Sequence, residues 1–504
     1  MMEHCYFGDI HNHCNASYAH GSVADALKNA RLQLDFVSVT GHSSWPDIPS
    51  GPHASQTVVD YHNQGFEKLE RGWRNFVHEI RSASIPGKFI AFPSYEIHSM
   101  ADGDRAVFFK DDLQSMYKPG GIREFQELVR SKRANGEEAF LLPHHIGYRQ
   151  GFRGINWEHY DEKVSPVVEI ISMHGCSESD EAPFPYLHTM GPRNGDGTMQ
   201  AGLARGYHFG VTGSTDHHSA HPGSHGYGRV AVWASELSLE AVWEAFKRRR
   251  CYALTGDRIE LDFTVNDTVM GGIGPFSPAR HIAATVLAGD ALDYVELVKN
   301  NNVVARKDFL AKMTVEPEDG LVGKLAVEVG WSERGVSLDW DVEVHVHGGS
   351  VLNLEPRFHG IDIVDPTQSH NGDFHFSNWT ATEDGVRFRT RTYGNPTTTT
   401  NTNQAMCVEI RGDRTTRVTV RANGVDHTCR LFDLLSQSES WYLQGFLSGA
   451  VHLHRFVPET EYKTRIEWND EGDGAREDFY YLRVRQRNNQ WAFSTPVWVE
   501  AKEE

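Results

Sequence analysis

Up to about residue 255 the chain alternates between apolar runs of strand texture and stretches with helical periodicity. The strand-like runs are CYFGDIH, DFVSVTGH, KFIAFPSYEIH, AVFFK, EAFLLPHH, VVEIISMHG, HFGVTGSTDHH and GRVAVWA. Between several of them lie amphipathic segments with apolar residues three and four apart. SVADALKNARLQL is one, with Ser22 placed to cap its first turn. QTVVDYHNQGFEKLERGWRNFVHEI is longer and stops before Pro86-Gly87. GIREFQELVRSKRANG and SLEAVWEAFKRRR follow the same period. This alternation predicts an α/β unit over residues 1–255, with a mostly parallel sheet covered by helices.

After about residue 256 the helical period nearly vanishes. RIELDFTVND, RHIAATVLAG, DYVELVKNNNVVARKDF, LDWDVEVHVHGG, GVRFRTRTYG and TRVTVRANGV alternate or are β-branched, with Gly, Asn and Asp turns between them. Residues 256–504 therefore read as an all-β sandwich region. The closing hairpin DFYYLRVRQRNNQWAFSTPVWVEA is expected to pair with strands near 257–310. That pairing makes an immunoglobulin-like unit of 256–334 plus 455–504, with a second sandwich, 335–454, inserted. NPTTTTNTNQ (395–404) is a low-complexity loop.

In the first half, polar residues of one kind sit at the strand ends. His11, His13, His42, Glu96, His98, His144, His174, Asp216 and His218 all fall at or just after an apolar run. The C-terminal ends of barrel strands converge on one face, whereas an open sheet spreads them in a line. The placement argues for a closed barrel.

Composition narrows the picture further. A chain of 504 residues is long enough for two or three domains. The formal charge of −19 disfavours nucleic acid as a partner. No run approaches the roughly 18 apolar residues of a membrane span. The six cysteines are scattered without CxxC spacing, which reads as a reducing compartment. With no signal-like segment at its start, the chain is expected to be cytoplasmic. A small-molecule substrate is expected, and homo-oligomer formation is compatible with the sequence. The outlier is histidine: 28 in all, 19 of them before residue 256.

GDIHNH places His11 and His13 two residues apart, so in extended chain both imidazoles share a face and can chelate one ion. A lone HxH is weak evidence. Here TGH, YEIH, PHH, MHG and TDHH stand at the other strand ends, and chance is a poor account of the whole set. HVH at 345–347 has no such company and reads as one face of a strand.

The order D-x-H-x-H, T-x-H, a Glu after the next strand, a His after LLP and a final D-x-H resembles the PHP (polymerase and histidinol phosphatase) metallohydrolase family. The resemblance covers residues 1 to about 255. It implies a distorted (β/α)7 TIM-like barrel with two or three divalent metal ions. Strings such as SYEIHSMADGD and STDHHSAHPGSHGYG are similar to a branch with a C-terminal β domain. By this resemblance His11, His13, Asp216 and Glu96 hold one metal. Glu96 bridges to a second, held by His144. His42 and His218 hold a third, with His20 near its remaining position. The second metal's other ligand has no counterpart; His98, Asp104 or His174 could serve. Gly41 stands where the family commonly has Asp. Mixed His and carboxylate ligands suit Zn, Mn or Fe.

The resemblance implies hydrolysis by a metal-activated hydroxide, most often of a phosphoester. An amide, a lactone or another carbon-centred bond is the alternative target. A non-catalytic metal protein binding carbohydrate or a partner, with Trp441, Tyr442 and Trp491 as a platform, is the other class. Arg149, Arg153 and Arg105 are candidates for gripping an anion, and Glu169 for a substrate contact. His145 or His174 could protonate a leaving group, with Asp216 at the reacting centre. Cys176 reads as a pocket wall.

Overall fold

The computed structural model describes residues 2–51, 54–110, 115–186, 190–310, 320–363, 370, 372–393 and 401–503. In the first half the elements run β1 (His4–Asp9), α1 (Val23–Gln33), β2 (Phe36–Ser44), α2 (Gln56–Ser82), β3 (Ile90–Ile97), β4 (Arg105–Phe109), α3 (Ile122–Ala134) and β5 (Ala139–Pro143). They continue with β6 (Val167–Ser172), β7 (Gly175–Cys176), α4 (Met199–Ala204), β8 (Gly210–Gly213), β9 (Arg229–Ala234), α5 (Leu239–Lys247) and β10 (Cys251–Leu254). Ser22 does cap α1. Its hydroxyl accepts from the Asp25 amide at 3.1 Å, and the Asp25 carboxylate accepts from the Ser22 amide at 3.0 Å.

The strand order is β10-β9-β1-β2-β3-β4-β5, with β6 and β8 paired in a separate small sheet. Among the described strands of the first half, β1–β2, β2–β3 and β6–β8 are parallel. The pairs β1–β9, β9–β10, β3–β4 and β4–β5 are antiparallel. This corrects the expectation of a mostly parallel sheet: the sheet is mixed, and a (β/α)7 TIM-like barrel is not shown. β5 lies against β6 and β8 against β10, but among the described residues no ladder closes the ring. A parallel crossover needs about a dozen residues or more. The connection 98–104 is shorter, so β4 has to return antiparallel to β3.

Period-2 alternation sorts the strand residues onto two faces. Val37 and Val39, Ala91 and Tyr95, Val107 and Phe109, and Leu141 pack outward with Leu69, Trp73 and Phe125 of the helices. Ile90 and Phe92, Ala106 and Phe108, and Phe140 and Leu142 fill the inner face together with Val167, Val230 and Val232. The further inward positions along these strands are Ser94 and then Glu96, Asp104 and His144. The chemistry thus sits directly on top of the inner apolar filling.

Past residue 255 the described elements are nearly all strands. Tyr252–Leu254 pair with residues 492–494, so the first half and the end of the chain share one ladder. Strand 279–287 pairs with 260–265 and 463–471, and strand 292–299 with 302–308 and 478–486. Two further sheets stack around Trp340, Val344, Phe388, Met406 and Phe456. Strand 321–330 pairs with 404–412, 450–453 and 457–458, so it touches both the expected insert and the segment expected to close the immunoglobulin-like unit. Alternation shows that a segment is a strand but not which partner it takes. Residues 395–400 of the threonine-rich loop lie outside the described residues. No described helix is long and apolar enough to cross a membrane. All six cysteines are free.

Candidate metal centre

Glu96 is 2% exposed and sits at the middle of the cluster. Its Oε1 lies 3.0 Å from His144 Nε2 and 3.0 Å from His98 Nδ1. Its Oε2 faces other histidines: His13 Nε2 and His42 Nε2 at 3.4 Å each, and His11 Nε2 at 3.6 Å. Asp216 is split in the same way. Its Oδ1 lies 2.9 Å from His13 Nε2 and 3.4 Å from His11 Nε2, while Oδ2 lies 2.8 Å from His174 Nε2.

These spacings suit metal ligands. Atoms about 2.1 Å from one ion, at tetrahedral or octahedral angles, are about 3.0–3.4 Å apart. His11, His13 and Asp216 converge to that separation, and the two imidazole Nε2 atoms are 3.2 Å apart. Further convergent groups are Glu96 with Asp104, His144 and His145; His13 with His42 and His218; His42 with Glu96 and His98; and His145 with His174 and Asp216. The donor set of buried imidazoles and carboxylates fits divalent ions.

The far side of four of these rings supports this. His13 Nδ1 donates to the Thr40 carbonyl at 2.9 Å, and His218 Nδ1 to the Asp216 carbonyl at 2.7 Å. His42 Nδ1 is hydrogen-bonded to Ser17 Oγ at 2.9 Å, and His11 Nδ1 to Glu169 at 3.1 Å. Engaging Nδ1 fixes the tautomer and leaves Nε2 as the donor toward the centre. Asp9, fully buried at the end of β1, accepts from the His11 amide at 3.1 Å and the Gly223 amide at 2.8 Å, pinning the chain around the first motif.

Electrostatics follow from burial and crowding. Burial lowers His144 to about 4, with His11 adding to it. Burial and the nearby His13 bring His218 to about 3. His42 and His145 are also depressed by burial and neighbouring imidazoles. All four are therefore neutral at pH 7. Burial alone would raise Glu96 and Asp216, but the surrounding histidines win and hold both well below the carboxylate range. Glu169 goes the other way: burial pushes it up to about 7 against the pull of His11.

The remaining candidates separate clearly. His145 has a left-handed φ of 30° that turns its ring beside His144, with Nε2 3.5 Å from Asp104. That places it among the grouped ligand atoms as well as the candidate proton donors. His174 is bridged by Tyr148 Oη at 2.9 Å and Asp216. His98 turns Nδ1 to Glu96 and Asp104, because Tyr18 Oη takes its Nε2 at 2.6 Å. Arg153 reaches inward, donating from Nε to Asp104 at 2.7 Å beneath Trp45. Arg149 does not: it is exposed, its guanidinium 5.9 Å from the centre of the Phe152 ring. Arg105 is buried but on the strand face opposite Asp104, the face of Val107 and Phe109. Both corrections share a cause: motif spacing does not say which way a side chain turns. His20 stacks on Phe374 at 6.4 Å and is outside the grouped ligand atoms. Glu169 orients His11 and has no shown role toward substrate. Cys176 is buried, and burial pushes its thiol up to about 12, so it is no nucleophile. Tyr18, Tyr148 and Ser17 were not singled out from sequence; only contacts distant along the chain reveal them.

A family model described as "Protein of unknown function (DUF3604)" matches residues 223–270. An uncharacterized protein of Chlamydia trachomatis is 26% identical over 236 residues, covering 43% of this chain and 38% of its own length. One of Chlamydia pneumoniae is 30% identical over 168 residues, 30% of this chain and 27% of its own. The matches thus span about two-fifths or less of these curated relatives. A solved two-domain protein of Bacteroides vulgatus, described as containing a predicted PHP-like metal-dependent phosphoesterase, is similar over 63% of this chain and 81% of that chain. Its sequence identity is 16% and the TM-score 0.32.

Proposed function

We propose that the protein is a metal-dependent hydrolase of small anionic molecules, with phosphoesters as the favoured substrates. The observation that carries this reading is Glu96, whose two carboxylate oxygens face different sets of histidines. A carboxylate so placed can bridge two ions. His11, His13, Asp216 and Glu96 would hold one. Glu96, Asp104, His144 and His145 would hold a second. His42 and His218, beside His13, would hold a third if three bind. Zn, Mn and Fe all suit these donors. Bound divalent ions supply Lewis acidity and a hydroxide nucleophile near neutral pH.

The chain's own groups do the rest. Asp216 fixes His174 on its far oxygen, so a proton at His174 Nε2 lies next to the centre and can pass to a leaving oxygen. Arg153 is 14% exposed beside Asp104 and offers its guanidinium to an anionic substrate. His42, His144, His145 and His218, kept neutral at pH 7 by burial, are available as ligands.

The test is metal analysis joined to turnover on a panel of phosphate esters and amides, with Mn- or Zn-loaded protein. Glu96→Gln and Asp216→Asn are expected to retain less metal and to lose phosphoesterase activity by about 100-fold or more. Metal-loaded wild type inert across the panel, or variants as active as wild type, would overturn the reading.

A further inference from the structure

We infer that residues 358–363 and 372–377, between strands 350–357 and 378–381 of the β region, are a working part of the metal centre, acting through Asn29 as a positioning residue for the ligand loop. This rests on the metal-centre reading above.

The loop after β8 carries Asp216 and His218. Two of its non-glycine residues, Asp216 and Ala220, have φ of 52° and 50°. Side-chain-bearing residues persist in that region only where surroundings hold them. The inner side of the loop is held by backbone: the His13 amide donates to the His217 carbonyl at 2.8 Å, and the Ala220 amide to the His13 carbonyl at 3.2 Å.

The outer side is held by Asn29 of α1 and by the β region. Asn29 is fully buried. Its amide nitrogen donates to the Ala220 carbonyl at 2.8 Å and to the Phe374 carbonyl at 2.7 Å. Its oxygen accepts from His375 Nδ1 at 2.8 Å. One amide thereby joins the ligand loop, α1 and the β region. Ser219 Oγ donates to the Ile363 carbonyl at 2.9 Å. The Gly360 amide donates to Ser224 Oγ at 3.0 Å, and the His225 amide to the Phe358 carbonyl at 3.0 Å.

The approach is also close. A Cβ on Gly360 would lie 2.5 Å from His221 Cβ and 2.6 Å from the His217 ring. On the other flank, a Cβ on Gly21 would lie 2.5 Å from Ala220 Cβ and 2.9 Å from the Phe374 ring. The described parts of the connection therefore clasp the loop that presents Asp216 and His218. Slack in the clasp reaches the metal ligands directly.

The test uses the full chain, Mn2+ as probe and two variants. Asn29→Asp turns a double donor into an acceptor facing two carbonyls. Ser219→Ala removes a single bond and should leave folding intact. Both are expected to weaken Mn2+ binding by about tenfold or more and to speed amide exchange within 214–221. Adding Ala220→Gly to Asn29→Asp, which relieves the left-handed backbone, is expected to restore part of the affinity. A merely structural role would lower Tm while Mn2+ affinity and exchange at 214–221 stayed at wild-type values, and that result would overturn the inference. If wild type takes up no Mn2+, the metal reading itself falls. If it binds and both variants bind equally well, only this inference does.

Discussion

Glu169 shows how much one buried side chain can decide. It lies inside an apolar strand run, and sequence alone offers it as a substrate contact. The structure gives it His11 as partner, at 3.1 Å from Nδ1. That contact turns Nε2 toward Glu96 and Asp216. Glu169→Gln is expected to lower metal affinity by about tenfold or more with the fold intact; equilibrium dialysis beside a thermal melt checks it. The clustered groups His11, His13, His42, Glu96, His144 and Asp216 were legible in sequence because a strand end leaves a chemical mark: an apolar run closed by His or a carboxylate. The orientation of Arg149 and Arg105 was not legible, since it depends on loop path and strand face.

At the scale of elements, the pairing of α2 with β2 explains a residue that the motif left odd. Gly41 is on the outward face of β2, and a Cβ there would stand 2.6 Å from Leu69 Cδ1. Leu69 is fully buried. The helix packs so closely that glycine fits and an aspartate does not. Gly41→Asp is expected to destabilise the protein by about 1–3 kcal/mol from overpacking, and by more because a carboxylate enters an apolar layer. Gly41→Ala should be the milder of the two in thermal denaturation. Helices and strands were readable from their periods, down to the Ser22 cap. Strand direction was not, because it is set by neighbours across the sheet; the short 98–104 connection was the one local clue.

For the whole molecule, Asp257 is the junction. It is fully buried where the first half meets both parts of the β region. It takes His225 at 2.8 Å, Arg357 at 3.1 Å, and Gln486 and Asn488 at 2.7 Å each. Burial by itself would raise its pKa, but the Arg357 guanidinium and the His225 and Asn488 hydrogen bonds hold it well below the carboxylate range. The sign follows from a depressed acid. Its contribution is complete above the unfolded pKa of about 4 and is lost as pH falls through that value toward the folded one. Asp257→Asn is expected to cost about 3 kcal/mol near pH 7, by removing the nearer of the two carboxylates that pair buried Arg357, the other being Glu355 at 3.5 Å. The gap to wild type should narrow between about pH 5 and pH 3 in paired urea titrations. A gap that stays constant over that range would show that the charge is not what joins the parts.

The sequence by itself determined the local facts: which runs are strands, which are helices, where the chain turns wholly β, and which imidazoles and acids stand at strand ends. These depend on spacing along the chain, and spacing is written in the sequence. Only the tertiary structure decided that the sheet is mixed, that Glu96 and Asp216 divide their oxygens between histidine sets, and that segments more than 300 residues apart close around the ligand loop, as Asn29 and Phe374 do. Those outcomes depend on distances between residues remote in sequence, which are fixed only once the buried faces have found one another.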